Sequence, residues 1–229
     1  PALLRLQVRA ILRAWKQQRV RLQLMMPGVS HARELEILAQ EVKKTCREFQ
    51  MEPPMLGSML ETPRACLTIE QLLERGDFFS FGTGDLTEST CGLSRYDAPV
   101  SFLPQLMERG VYDNDPFEVL DRSGVGRLIE QTFQRAKQKC PDVELGTCGA
   151  QAVEESSLEF CCRVGLDYAS VPVHHLPAAR LAAARAAIRS SPDHHPGSCL
   201  CTDRLHGRVG WLPVHRVCLH AGRCRIDIR

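Results

Sequence analysis

The sequence predicts an α/β fold, with parallel strands joined by crossover helices. Short apolar runs recur along residues 1–189, and each is followed by a segment with helical apolar spacing. The residues able to do polar chemistry sit just after those runs, where α/β folds place their sites. A hydrophobic share of 44% is ordinary for a soluble globular body with a sizeable core.

The elements follow in order. Leu4, Val8, Ile11, Leu12 and Trp15 repeat at helical spacing, so the first segment is an amphipathic helix. Leu22–Met26 is a short apolar run closed by Pro27-Gly28, which reads as a buried strand. Ser30 stands where an N-cap is wanted, with Glu34 in the first turn. Leu35, Leu38, Val42, Cys46 and Phe49 then form the buried stripe of a helix. Met55–Leu60 reads as a strand, and Thr68 with Gln71 as the capping box of a short helix through Leu73. Phe78–Phe81 is a strand ending in Gly82-Thr83-Gly84-Asp85, followed by a long irregular stretch. Val125, Leu128, Ile129, Phe133 and Ala136 mark the next helix, and Val143–Leu145 a strand ending in Gly146-Thr147-Cys148-Gly149. Leu158–Val164 is helical, Tyr168–Val171 is a candidate last strand, and Pro177 opens an Ala-rich helix through Ile188. Four βα units in a row imply parallel strands, and periodicity leaves an open doubly wound sheet and part of a closed barrel equally available.

Charge and composition narrow the function classes. A net charge of +2 gives no electrostatic argument for nucleic acid or an anionic membrane. No window approaches the ~18 apolar residues of a membrane span. The segment from Pro1 to Gln18 lacks a signal-peptide layout, and the missing initiator suggests a fragment. Cys46, Cys66, Cys91, Cys140, Cys148, Cys161 and Cys162 are scattered without framework spacing, which reads as reduced thiols in a cytoplasmic setting, with organellar targeting left open.

The segment 190–229 breaks the pattern. It holds six Arg and three Asp without Lys or Glu, so the tail is basic while the body before it is near neutral. Cys199, Cys201, Cys218 and Cys224, with His194, His195, His206, His215 and His220, are dense enough to suggest zinc, but their intervals match no finger. The preferred reading is a disordered or aberrant extension.

Two carboxylates stand out. Glu61 ends one strand and Asp85 follows the next, so adjacent parallel strands would bring both to one end of the sheet. Paired acidic oxygens there suit Mg²⁺, with substrate oxygens completing the shell. The plainer alternative is that Glu61 caps a helix and Asp85 orders a turn. Gly82-Thr83-Gly84-Asp85-Leu86-Thr87 is small and rich in N–H donors, able to approach a phosphate or carboxylate, but it is neither a dinucleotide fingerprint nor a Walker loop. Cys148, between Thr147 and Gly149, could donate a proton, act as a nucleophile or be a buried structural thiol.

Longer strings carry a resemblance. Met25-Met26-Pro27, Gly57-Ser58-Met59-Leu60-Glu61-Thr62-Pro63-Arg64-Ala65 and Phe78-Phe79-Ser80-Phe81-Gly82-Thr83-Gly84-Asp85-Leu86-Thr87 are followed by Gly92-Leu93-Ser94-Arg95 and Asp115-Pro116-Phe117. Gly124-Val125-Gly126, Gly146-Thr147-Cys148-Gly149, Val164-Gly165-Leu166-Asp167-Tyr168 and Pro177–Ala184 complete the series. In order and spacing over about residues 5–189, this resembles the C-terminal phosphoenolpyruvate-utilising domain of the pyruvate, phosphate dikinase family. Enzyme I of the sugar phosphotransferase system and phosphoenolpyruvate synthase share that barrel.

The resemblance implies the C-terminal half of a (β/α)8 TIM barrel over residues 1–189. It implies transfer chemistry on phosphoenolpyruvate and pyruvate within the conversion of ATP, phosphate and pyruvate to AMP, diphosphate and phosphoenolpyruvate. Glu61 and Asp85 would hold Mg²⁺; Gly82, Thr83, Gly84 and Asp85 would line the substrate; Arg95 would face the phosphoryl group; Cys148 would protonate the enolate carbon. The implied partners are a phosphohistidine domain elsewhere in the full-length enzyme and a second subunit of a homodimer, with no nucleic acid or membrane.

This chain departs from the family at two places. Gly84 stands where the family has Asn, and Ala150-Gln151-Ala152-Val153 replaces Glu-His-Gly-Gly after the cysteine and its glycine. These changes keep a second reading open, a non-catalytic barrel remnant. A half barrel also implies two open strand edges, hence aggregation or pairing.

Overall fold

The computed structural model describes residues 2–17, 22–190 and 214–218. Five parallel strands form a curled half-barrel in chain order, with helices between them. They are β1 (Gln23–Met26), β2 (Met55–Leu60), β3 (Phe78–Gly82), β4 (Glu144–Cys148) and β5 (Tyr168–Pro172). The helices are α1 (Ala2–Gln17), α2 (Ala32–Glu48), α3 (Pro63–Leu67), α4 (Ile69–Leu72), α5 (Thr83–Cys91), α6 (Leu103–Glu108), α7 (Arg127–Lys139), α8 (Glu155–Val164) and α9 (Leu176–Ser190).

The predicted strands all form, and β4 runs on through Gly146 and Thr147 to Cys148 rather than turning after Leu145. Three local expectations are corrected. His31, not Ser30, caps α2: its Nδ1 accepts the Arg33 N–H at 3.1 Å while Glu34 reaches back to the His31 N–H at 2.9 Å, closing a capping box. Thr68 makes no side-chain cap, because its hydroxyl donates to the Arg64 carbonyl at 2.8 Å; Thr62 instead caps the unforeseen α3, with Pro63 opening it. The stretch after β3 begins not as irregular chain but as α5, so Asp85 lies in a first helical turn.

The core lies between the sheet and its helices. Leu60, Phe79, Phe81, Leu145, Ala169 and Val171 point outward from alternate strand positions onto Leu12, Leu35, Leu72, Ile129 and Leu158, all fully buried. From α1 only Val8 and Leu12 of the forecast stripe are buried, while Ile11 stays exposed. Ion pairs tie neighbouring helices at the surface: Arg5–Glu41 and Arg9–Glu48 join α1 to α2, and Arg135 grips Glu70 with two 2.7 Å bonds between α7 and α4.

Two aspartates start the strands by the same device. The Asp77 carboxylate accepts the Leu56 N–H at 2.7 Å, while the Asp77 N–H donates to the Leu56 carbonyl at 2.8 Å. Asp167 repeats this with Leu145 at 2.8 and 2.7 Å, and also takes Lys137 at 3.1 Å. Each thus pairs the first donor and acceptor of a ladder that would otherwise end unpaired.

Within the tail the described residues are β6 (Val214–Cys218), whose backbone pairs antiparallel with β5 from Tyr168↔Cys218 to Pro172↔Val214. Of the two open edges the sequence implied, that of β5 is therefore paired within the chain. The zinc candidates Cys199, Cys201, Cys224, His194, His195, His206 and His220 lie outside the described residues. Among the described residues no helix is long and apolar enough to cross a membrane.

Candidate active site

Parallel pairing places the ends of β2, β3 and β4 side by side. The register sets Leu60 opposite Phe81 and Gly82 opposite Cys148, so Glu61, the Gly82–Asp85 turn and Cys148 meet at the C-terminal end of the sheet. There a cleft of about 290 Å³ is lined by Met59, Gly82, Gly84, Asp85, Arg95, Tyr96, Phe117 and Cys148, and by the turn from Gly149 to Gln151.

Glu61 lies against Gly82 in the wall of this cleft and is only 7% exposed. Its Oε1 accepts the Gly28 N–H, so the glycine turn after β1 holds it in place. Burial pushes its carboxyl above the ordinary range; the Gly28 bond opposes that shift, and the nearby Asp85 carboxyl adds to it. A Cβ at Gly82 would stand 2.8 Å from Glu61 Oε2 and from Met59 Cε, so the glycine lets both side chains close against the turn.

Asp85 projects from the first turn of α5, more than half exposed, and is ion-paired to Arg95. Arg95 in turn donates from Nε to Glu88 at 3.0 Å. Its guanidinium lies over Gly84, where a Cβ would come within 3.3 Å of it. The side chain missing at position 84 thus leaves room for the arginine to fold onto Asp85.

Thr83 is fully buried and turns away from the cleft, its hydroxyl 2.9 Å from the Cys148 carbonyl and 2.7 Å from Gln151 Oε1. Its side chain, expected to line the substrate, is therefore engaged within the protein instead. The half-buried Cys148 has its Sγ 4.0 Å from Met59 Sδ. Burial pushes the thiol up, the nearby Ser80 hydroxyl draws it down, and the carboxyls of Glu61 and Asp85 raise it further. A thiol held up in this way carries its proton near neutrality.

The donor set suits a hard cation. Two carboxyls lie near each other, and the buried one is held above its usual range by burial and in part by the other; Arg95 offsets some of that charge, and a divalent ion would offset more. Among the described residues no group of three His, Cys, Asp or Glu side chains is placed to hold a metal ion, so a cation held by these two carboxyls would take its remaining ligands from substrate or water.

Of the residues the sequence pointed to, Gly82, Gly84, Asp85, Arg95 and Cys148 line the cleft, while Glu61 and Thr83 are buried beside it. The structure adds Gly28, Met59, Tyr96, Phe117 and Gln151, of which Met59 and Phe117 stood in the strings that carry the resemblance. A larger hollow of about 590 Å³ adjoins the cleft at Gly149 and Ala150, walled by Glu118, Val153, Glu154, Pro172 and His175. Its Glu154 carboxylate is occupied in capping α8, on the Ser156 and Ser157 N–H groups at 2.8 and 2.7 Å.

The family described as PEP-utilising enzyme, PEP-binding domain, matches residues 1–188. Pyruvate, phosphate dikinase of Rickettsia bellii is 38% identical over 200 residues, which cover 82% of this chain and 23% of that protein. The enzyme of the same name from Clostridium symbiosum is 39% identical over 173 residues, 73% of this chain and 20% of the relative. The chain thus spans roughly a fifth of the length of these relatives. A citrate lyase structure from Burkholderia xenovorans shares the fold at a TM-score of 0.53 and 16% identity, over 78% of this chain and 53% of its own. The chain belongs to the family of PEP-binding domains of PEP-utilising enzymes.

Proposed function

We propose that this domain handles the phosphoenolpyruvate and pyruvate half-reaction of a pyruvate, phosphate dikinase, with Mg²⁺ held by Glu61 and Asp85. The supporting observation is the convergence of Asp85, Arg95 and Cys148 on one cleft, with the buried Glu61 carboxyl against its Gly82 wall. The family and the relatives supply the substrate class.

Held by that pair, Mg²⁺ would supply positive charge against the carboxylate and enolate oxygens of the substrate. Arg95 bears on the phosphoryl oxygens, which requires it to release Asp85 and turn into the cleft. The backbone of Gly82–Asp85 carries the first N–H groups of α5 toward the substrate, where a helix N-terminus favours negative charge. In the direction of pyruvate, the phosphoryl group passes to a histidine of a separate domain and leaves the enolate. The Cys148 thiol gives its proton to C3 of that enolate, becomes a thiolate and is reprotonated from water. A raised thiol suits this step, because the group must arrive protonated.

Exchange of the pyruvate methyl protons with deuterated water, followed by NMR, tests this role. The reading predicts Mg²⁺-dependent exchange that falls at least about a hundredfold in Cys148→Ala, the usual contribution of a positioned acid or base. Equal exchange by Cys148→Ala and the parent would remove the thiol from the chemistry.

A further inference from the structure

The turn after Cys148 is filled by a side chain that is engaged on three sides. Gly149 has φ +114, and a Cβ there would stand 2.6 Å from Thr83 Oγ1, so the chain reverses sharply against α5. The reversal drives Gln151, 1% exposed, back beneath the cleft. Its Oε1 accepts from Thr83 at 2.7 Å, and its Nε2 donates to the Pro116 carbonyl at 2.9 Å and lies 3.4 Å from Thr87 Oγ1. The same Thr83 hydroxyl reaches the Cys148 carbonyl at 2.9 Å. One amide thus connects the cysteine turn, the first turn of α5 and the segment that carries Phe117 into the cleft.

We propose that Gln151 is a positioning residue: through Thr83 and Pro116 it fixes the turn that holds the Cys148 thiol at its place in the cleft. The importance of that thiol rests on the function proposed above; the geometry does not. An amide suits the post because one end must accept and the other donate. An apolar side chain of the same size would leave the Pro116 carbonyl unpaired in a buried setting, and the turn would open to recover water.

Peptide-resolved alkylation of the native protein tests it, with Gln151→Met as the variant. Cys66 and Cys161 are internal controls, since burial holds their thiols up at about 12. We expect Cys148 to react about tenfold faster in Gln151→Met with Cys66 and Cys161 unchanged, the size of effect that losing a hydrogen bond or two has on a local opening equilibrium. A merely structural loss would speed all three cysteines together and overturn the proposal, as would an unchanged rate at Cys148. Should Gln151→Met fail to fold, Thr83→Val removes the opposite end of the link, with the same expected and contrary results. The readout needs no turnover, so it stands or falls apart from any test of substrate binding.

Discussion

The ring of Tyr168 lies across the backbone of Gly146 on the neighbouring strand, and its hydroxyl donates to the Phe79 carbonyl one strand further, at 2.8 Å. Phe78 covers Gly57 in the same way, with ring carbons 2.6 Å from where a Cβ would stand. On the concave face of the sheet, large rings thus fit because their neighbours have no side chain. Gly146→Ala should therefore cost about 1–3 kcal/mol, the range for overpacking a core. Urea unfolding checks it, and Tyr168→Leu in the Gly146→Ala background should recover part of the loss.

Glu61 gives a pH dependence of definite sign. Its carboxyl is raised in the folded state, chiefly by burial, so ionised Glu61 opposes folding once the pH exceeds the ordinary carboxylate range. Without added metal, Glu61→Gln should melt higher than the parent at neutral pH. The difference should shrink as pH falls through the folded value and vanish below the unfolded one. A constant difference across that range would contradict the assignment.

Asp167 pairs both ends of its bond set with Leu145 and also takes Lys137. Asp167→Ala should cost about 1–3 kcal/mol, since it strands the Leu145 backbone donor and removes the charge partner of Lys137, which keeps its bond to the Val143 carbonyl. Asp77→Ala, with the same backbone pairing at Leu56, should cost less in the same chemical denaturation assay.

Arg95 separates two ligands. If it meets the phosphoryl group, Arg95→Met should weaken phosphoenolpyruvate binding by about tenfold to a hundredfold, the range for a charged hydrogen bond. Oxalate, which has no phosphoryl group, should bind Arg95→Met within a few-fold of the parent. Calorimetry with both ligands decides it, and equal losses would move Arg95 to a purely structural role between Asp85 and Glu88.

The legibility of this chain divides along physical lines. Strands such as Met55–Leu60 were visible because they are apolar runs with clear ends, and their order alone brought Glu61, Asp85 and Cys148 to one edge. Helix α5 was not visible: Thr83–Cys91 is polar apart from Leu86, and tertiary packing rather than periodicity holds it. The cap of α2 moved by one residue because an imidazole nitrogen took the role a serine hydroxyl usually fills. Gln151 reads as an ordinary loop residue, and only the sharp reversal at Gly149 shows that it points inward. The turn of Arg95 onto Asp85 needed coordinates too, since nothing in its spacing indicates which carboxylate it meets.

The central claim is that Glu61 and Asp85 form a metal-dependent enolpyruvate site, and calorimetric titration with oxalate, a mimic of the enolate, tests it most directly. The account predicts binding that requires Mg²⁺ and is lost in Glu61→Ala while the variant keeps its native circular dichroism. Oxalate binding that is indifferent to Mg²⁺ or to Glu61, or no binding by the folded parent, would contradict it.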